Sequence, residues 1–400
     1  MTSAGIICEF DPFHNGHGYL IEKVRDAGAE SVVCVMSGDF TQRGAPAMWD
    51  KFRRAEAAVL CGADLVLELP AVYAVNSADL FARGGVRILS GLGCVDTLAF
   101  GSECADQEKL SLAARVTAEE PEDYSARLKE HLSEGFSYAA SCQKTLAELY
   151  SPEAASVLNG PNDILAVCYM REIILQKAGL SPFAVKRAGA DHKAQDPDGC
   201  FASAGAIRKA AASGEDIRDL IPEKSLSVIS DDDRHPDNKL FYEIARHRIL
   251  TAGRSFLKDI PEVSEGLEMR MIQAAQCSED LDSFLENVST RRYPAPRIRR
   301  ILSRIILGID SKKQACLEIN RTAYAKVLAF GPAGAKILKT ASEKGTVGIV
   351  SNVNKYIPKD AAEEISLGID ILSGDIYNML CGRTLTQYSD RVRIPEIILK

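Results

Sequence analysis

Two histidines stand three residues apart in Phe13-His14-Asn15-Gly16-His17. Imidazoles at this spacing can each donate a hydrogen bond to phosphate oxygens as charge builds in a transition state, and neither need be a nucleophile. Gly16 between them lets the main chain come close to a ligand. The segment follows an apolar run, Ala4 to Cys8, and precedes Leu20, Ile21 and Val24 at helical spacing, so it falls where a strand gives way to a helix. At such a junction main-chain N–H groups point outward and the helix dipole favours an anion. A phosphate-binding turn is therefore expected. The competing readings are a pair of surface histidines in a turn and a zinc site; the latter is short of ligands, because no Cys-x-x-Cys pair lies nearby.

The same alternation of strand and helix recurs along the chain. Ser31 to Met36, Asp64 to Leu69 and Thr97 to Phe100 read as further strands, with Phe52 to Leu60 and Asn76 to Leu89 as helices between them, and Phe183 to Arg187 reads as a late strand. Parallel neighbours need such crossovers, so the expectation is an α/β fold: a Rossmann-like parallel sheet over residues 1–225 with ligands at the carboxyl ends of its strands. Three loops fall there: Phe10 to His17, Ser37 to Gly44, and Gly101-Ser102-Glu103. Residues 231–238 are polar and aperiodic, which marks a linker or exposed loop. A mainly helical region is expected over 239–340, and a small C-terminal α/β appendage over 341–400.

The bulk composition is that of an ordinary globular chain, at 46% apolar and 26% charged, with no stretch apolar enough for a membrane span. No leader pattern opens the sequence, and the eleven cysteines are scattered and odd in number, so a soluble, cytoplasmic protein with reduced thiols is expected, without membrane partner or structural metal. A net charge of -7 excludes a broadly basic nucleic-acid binder but not a local basic surface.

The histidine turn resembles the motif of the nucleotidyltransferase superfamily shared with class I aminoacyl-tRNA synthetases. Ser203-Ala204-Gly205-Ala206-Ile207-Arg208 is similar to its Ser-x-x-x-Ile-Arg element, in which the serine caps a helix and the arginine meets the triphosphate. His14, His17, Ser203 and Arg208 are accordingly the expected catalytic set. A closer resemblance, to the bacterial tRNA(Met) cytidine acetate ligases, runs through Met36 to Gly44, Ala63 to Pro70, Phe100 to Glu103, Pro161 to Leu165 and Arg187 to Ala190. It implies that ATP, with Mg²⁺, and acetate give acetyl-adenylate, and that the wobble cytidine of elongator tRNA(Met) then takes the acetyl group to become N4-acetylcytidine. It also implies ATP contacts at Ile7, Phe10, Phe13, His14, Gly16, His17, Leu20, Gly101, Asn162, Arg187 and Ala188. Asp11 departs from the family, where asparagine is commoner; a carboxylate there would repel a triphosphate unless turned away.

Ser37, Gly38, Gln42 and Arg43 follow the second strand and are expected on the acetate or ribose side of the pocket; a plain hydrogen-bonded surface loop is the alternative. Between Ser289 and Gly308 there are six arginines and no acid. At 100° per residue, Ile298, Ile301, Leu302, Ile305 and Ile306 gather on one helix face and Arg297, Arg300 and Arg304 on the opposite one. Arg291, Arg292, Arg297, Arg300 and Arg304 are thus expected to face out and contact RNA phosphates, with Tyr293 stacking on a base. Two other functions stay open: an adenylyltransferase acting on a phosphorylated cofactor precursor, and a non-catalytic RNA-binding protein on a degenerate nucleotide fold.

Overall fold

Parallel strands buried on both faces need near-continuous apolar runs, and the first hundred residues supply them. In the computed structural model, which describes residues 2–136, 138–187, 201–230 and 234–399, β1 (Ser3–Cys8), β2 (Ser31–Ser37), β3 (Leu65–Leu69), β4 (Thr97–Ser102) and β5 (Ser181–Lys186) form a parallel sheet in the order β5-β4-β1-β2-β3. Ile6 of the central strand sits opposite Cys34 on one side and Ala99 on the other. Alternate residues of the strands feed two cores. Ile6, Val32 and Cys34 pack with Ile21 and Val24 of α1 (Asn15–Asp26) and Ala55 of α2 (Lys51–Leu60), while Ile7, Val33 and Val35 pack with Phe81, Val86 and Leu89 of the helix Ala78–Gly91 on the opposite face. From β1 the chain winds one way to β2 and β3 and the other way to β4 and β5, so the order reverses between β1 and β4. Open α/β sheets take ligands in the crevice at the carboxyl ends of their strands at such a switch point.

The α/β class, the parallel sheet and the helical stretch from Asn238–Lys258 to Ser311–Ile319 are as expected. Two features differ in detail. The region 239–340, read as helical, contains β6 (Tyr324–Phe330), which pairs antiparallel with β3; its seven residues, apolar but for Lys326, are too few for periodicity to separate strand from buried helix. Residues 341–400 do not stand apart, because β7 (Gly348–Val350) and β8 (Glu396–Ile397) both pair parallel with β6 and extend the same sheet. Of the polar segment 231–238, Asp231, Asp232 and Asp233 lie outside the described residues. Among the described residues no helix is long and apolar enough to cross a membrane.

An ion cluster ties these parts together. Lys51 Nζ of α2 lies 3.0 Å from Glu68 of β3, 3.3 Å from Asp39 and 2.7 Å from Asp390; Lys326 of β6 lies 2.7 Å from Glu68 and also bonds Asp390. All five groups are buried. Charges so far from water persist only when each is paired.

Candidate active site

β1 ends at Cys8, and the turn into α1 is built around the two histidines. His14 caps α1: its Nδ1 accepts the Gly16 N–H at 3.1 Å, and His17 Nδ1 reaches back to accept the His14 N–H at 3.2 Å. The rings stack, with centroids 3.7 Å apart. A nitrogen that accepts an N–H carries no proton, so each neutral ring holds its proton on Nε2. Burial, with the charges of Arg187 and Arg208, brings the His14 pKa down to about 4; burial, His14 and Arg187 hold His17 well below the ordinary value. At neutral pH both are therefore uncharged Nε2–H donors, fixed by the main chain they cap. Phe10 and Phe13 are buried and wall His17, with ring centroids 4.7 and 5.6 Å from it. Their side chains and that of Ile7 belong to the core. Leu20 is half-buried on α1.

Two guanidinium groups converge on this turn. The helix Ala204–Ala212 is capped by Ser203, whose hydroxyl accepts the Ala206 N–H at 3.2 Å. Ile207 anchors it in a small core with Trp49, Ile221 and Ile229, and this sets the direction of the next residue. Arg208 donates to the Asp11 carbonyl and lies 3.6 Å from the Asp11 carboxylate. That carboxylate also accepts the Met48 N–H at 2.9 Å, so the departure at Asp11 is neutralised and held away. Arg187, just past β5, donates to Asn162 Oδ1 at 3.3 Å and runs against Gly101, where an added Cβ would meet its Cγ at 3.3 Å. Gly101, Asn162 and Arg187 thus form one group at the carboxyl ends of β4 and β5, facing the histidines across the switch point. Ala188 lies outside the described residues.

The loop after β2 corrects one expectation. Ser37 and Gly38 are sealed: Arg54 of α2, itself without exposed surface, donates to the carbonyls of Ser37, Gly38, Glu9 and Trp49, and Glu68 Oε1 occupies the place a Gly38 Cβ would need. These two residues cannot line an open pocket. Gln42 is half-buried and Arg43 exposed, and both remain available. Gly44 has φ +75°, and a Cβ there would lie 2.1 Å from the Arg300 main-chain nitrogen, so this loop rests directly on the arginine-bearing helix Ala295–Leu307.

That helix corrects a second expectation. Its apolar face is buried as predicted, but its arginines do not simply face out. Arg304 is fully buried, donating to the carbonyls of Val75 and Pro261 at 3.0 Å and to Asn76. Arg297 and Arg300 lie 3.2 and 3.9 Å from Glu262, which also pairs with Arg304. Tyr293 is buried, its ring beneath Arg297 at 4.6 Å. The acid that satisfies these arginines comes from a different element and is invisible in a local reading. Arg291 and Arg292 are exposed and Arg299 half-exposed, with Arg292 2.6 Å from Glu265 and Arg299 3.5 Å from Asp282, so the cationic surface is smaller than expected and shifted toward the helix's amino end. The residues missed from sequence are Glu9, Arg54 and Glu262. Only Glu9, at the carboxyl end of a buried strand, sat where a site residue belongs.

Residues 1–391 match the family model of the HIGH nucleotidyl transferases. The chain is 35% identical to the tRNA(Met) cytidine acetate ligase of Clostridium kluyveri over the whole of both chains. It is 37% identical to that of Syntrophotalea carbinolica over 361 residues, covering 89% of this chain and 86% of the relative. Among solved structures, Thermotoga maritima TmcAL bound with alpha-thio ATP covers both chains completely, with a TM-score of 0.91 at 29% identity, and its apo form gives 0.90. A likeness that runs end to end in sequence and in fold, with the histidine turn and Arg208 brought together, places the chain in the tRNA(Met) cytidine acetate ligase family of HIGH nucleotidyl transferases.

Proposed function

We propose that this chain activates acetate with ATP and transfers the acetyl group to the wobble cytidine of elongator tRNA(Met), giving N4-acetylcytidine. The observation that carries the reading is the meeting of His14, His17, Arg187 and Arg208 at the switch point of the sheet, in a chain alike throughout to ligases of that name. In the first step an acetate oxygen attacks the α-phosphorus of ATP, the bond to the β-phosphate oxygen breaks, and pyrophosphate leaves. The neutral Nε2–H groups donate to the phosphate oxygens as charge accumulates, and Arg187 and Arg208 balance the leaving pyrophosphate. Mg²⁺ enters with ATP as part of that substrate. Asn162 and Gly101 hold Arg187 in place, and Asp11 does the same for Arg208. Gln42 and Arg43 stand on the acetate or ribose side.

In the second step the cytidine N4 attacks the acetyl carbon and AMP departs. The tRNA would approach over the loop Gln42–Gly44 and the helix Ala295–Leu307 it rests on, with Arg291, Arg292 and Arg299 for phosphate contacts. The test is incubation with ATP, labelled acetate and total bacterial tRNA, followed by digestion to nucleosides. Label in N4-acetylcytidine of the methionine elongator supports the reading; label in another nucleoside, or in none, removes it.

A further inference from the structure

Acyl transfer to an exocyclic cytosine amine needs a base. The N4 lone pair is delocalised into the ring, so the nitrogen becomes strongly acidic as it bonds to the acetyl carbon, and its proton must go somewhere as AMP leaves. The histidines cannot take it, because each Nδ1 already accepts a main-chain N–H and each Nε2 holds a proton. Glu103 is filled by the Asn162 and Asp163 N–H groups, at 3.2 and 2.7 Å, and by the Asn162 side chain. Asp163 is filled by Ser102, Glu103 and Cys104 and is buried. Asp11 is taken by Met48 and Arg208, and Asp39 is buried against Lys51.

Glu9 differs from all of these. It stands at the carboxyl end of β1, between the histidine turn and the Gln42 loop, and its main chain is pinned there by Arg54. Oε1 accepts the Gln42 N–H at 2.6 Å, whereas Oε2 accepts no hydrogen bond among the described residues, and the residue is only half-buried. The charged groups around it are Asp11, Arg43 and Arg208.

We propose that Glu9 is the general base of the acyl-transfer step. Its Oε2 takes the N4 proton as the bond from N4 to the acetyl carbon forms and the bond from that carbon to the AMP phosphate oxygen breaks; AMP leaves with the electron pair. The proposal rests on the acetyl-adenylate reading above. Burial, with the neighbouring Asp11 carboxylate, pushes the Glu9 pKa up, and the Gln42 N–H, Arg43 and Arg208 restrain the rise. The net upward shift makes it a stronger base than a solvated carboxylate, the direction in which general-base efficiency increases at neutral pH.

The two steps can be measured apart. Acetate-dependent exchange of pyrophosphate into ATP reports the first, and transfer from synthetic acetyl-adenylate to unmodified elongator methionine tRNA reports the second. With Glu9→Gln, which keeps an acceptor for the Gln42 N–H, exchange should stay within about threefold of the parent. Transfer should fall roughly 10²-fold and lose the acid limb of its pH profile. Glu9→Asp should recover part of the rate and restore that limb. Equal losses in both steps, or transfer that is unchanged in Glu9→Gln, would overturn the assignment of Glu9. If the parent protein itself cannot use acetyl-adenylate, the acetyl-adenylate reading falls instead, so the two failures are distinct.

Discussion

His14 holds the helix start with one ring nitrogen and, in the proposed reaction, donates to phosphate with the other, and substitutions can separate the two purposes. His14→Ala should lower acetate-dependent pyrophosphate exchange by about 10²- to 10³-fold, as the loss of a transition-state donor does. It should also cost about 1 kcal/mol of stability through the lost cap. His14→Asn, whose side chain can cap the same N–H, should restore stability in urea titrations and leave turnover low. The depressed protonation has a consequence for stability as well. Because the His14 pKa is about 4 folded against about 6.5 unfolded, the unfolded chain takes up protons in that window that the folded one refuses. Stability should therefore rise with pH between about 4 and 6.5 and level off above, and the slope should shrink in His14→Ala. A slope of the opposite sign would mean that the imidazoles are charged in the fold.

Legibility in the sequence followed the range of the interactions. The strand, turn and helix around His14 and His17 are specified by neighbours within a dozen residues, and so are the cap at Ser203 and the apolar face of the helix Ala295–Leu307. What sequence reasoning missed was set from afar. Arg304 looked solvated because its acceptors, at residues 75, 76 and 261, lie on other elements. Likewise β6 looked helical because its partner strand β3 is more than 250 residues away.

At the scale of elements, Arg54 deserves its own test. A helix residue that donates to Glu9, Ser37, Gly38 and Trp49 fixes the carboxyl ends of β1 and β2 relative to each other. Removing it leaves buried carbonyls without donors, each worth about 1–3 kcal/mol. Arg54→Met should therefore destabilise the fold by at least about 3 kcal/mol in denaturant titrations. Arg54→Lys, with a point charge in place of a planar fork, should recover only part of that loss. A change under about 0.5 kcal/mol in Arg54→Met would show that the two loops are held by other means.

For the whole molecule, the question is how a chain with a net charge of -7 meets a polyanion. Arg291 and Arg292, just before the helix Ala295–Leu307, and Arg299 on it belong to the element on which the loop flanking the proposed acetate side rests, and they are the proposed phosphate contacts. Replacing Arg291, Arg292 and Arg299 together with alanine should weaken tRNA binding and reduce the slope of log affinity against log salt by roughly 2. Arg304→Ala should act differently, unfolding the helix packing instead of altering that slope, because its guanidinium is wholly internal. An unchanged salt slope in the triple variant would place the RNA elsewhere.

The buried lysines also bear on the order of events during synthesis. Lys51 and Lys326 share Asp390, and residues are made from the amino end, so on the ribosome Lys51 exists for a long interval with only Asp39 and Glu68 beside it, before Lys326 and Asp390 can join the cluster. A nascent chain that halts before residue 390 would carry the histidine turn yet lack the carboxylate that bridges its two buried lysines. If that bridge locks the cluster, a ribosome-stalled series should gain its full protease resistance only once residue 390 has cleared the exit tunnel.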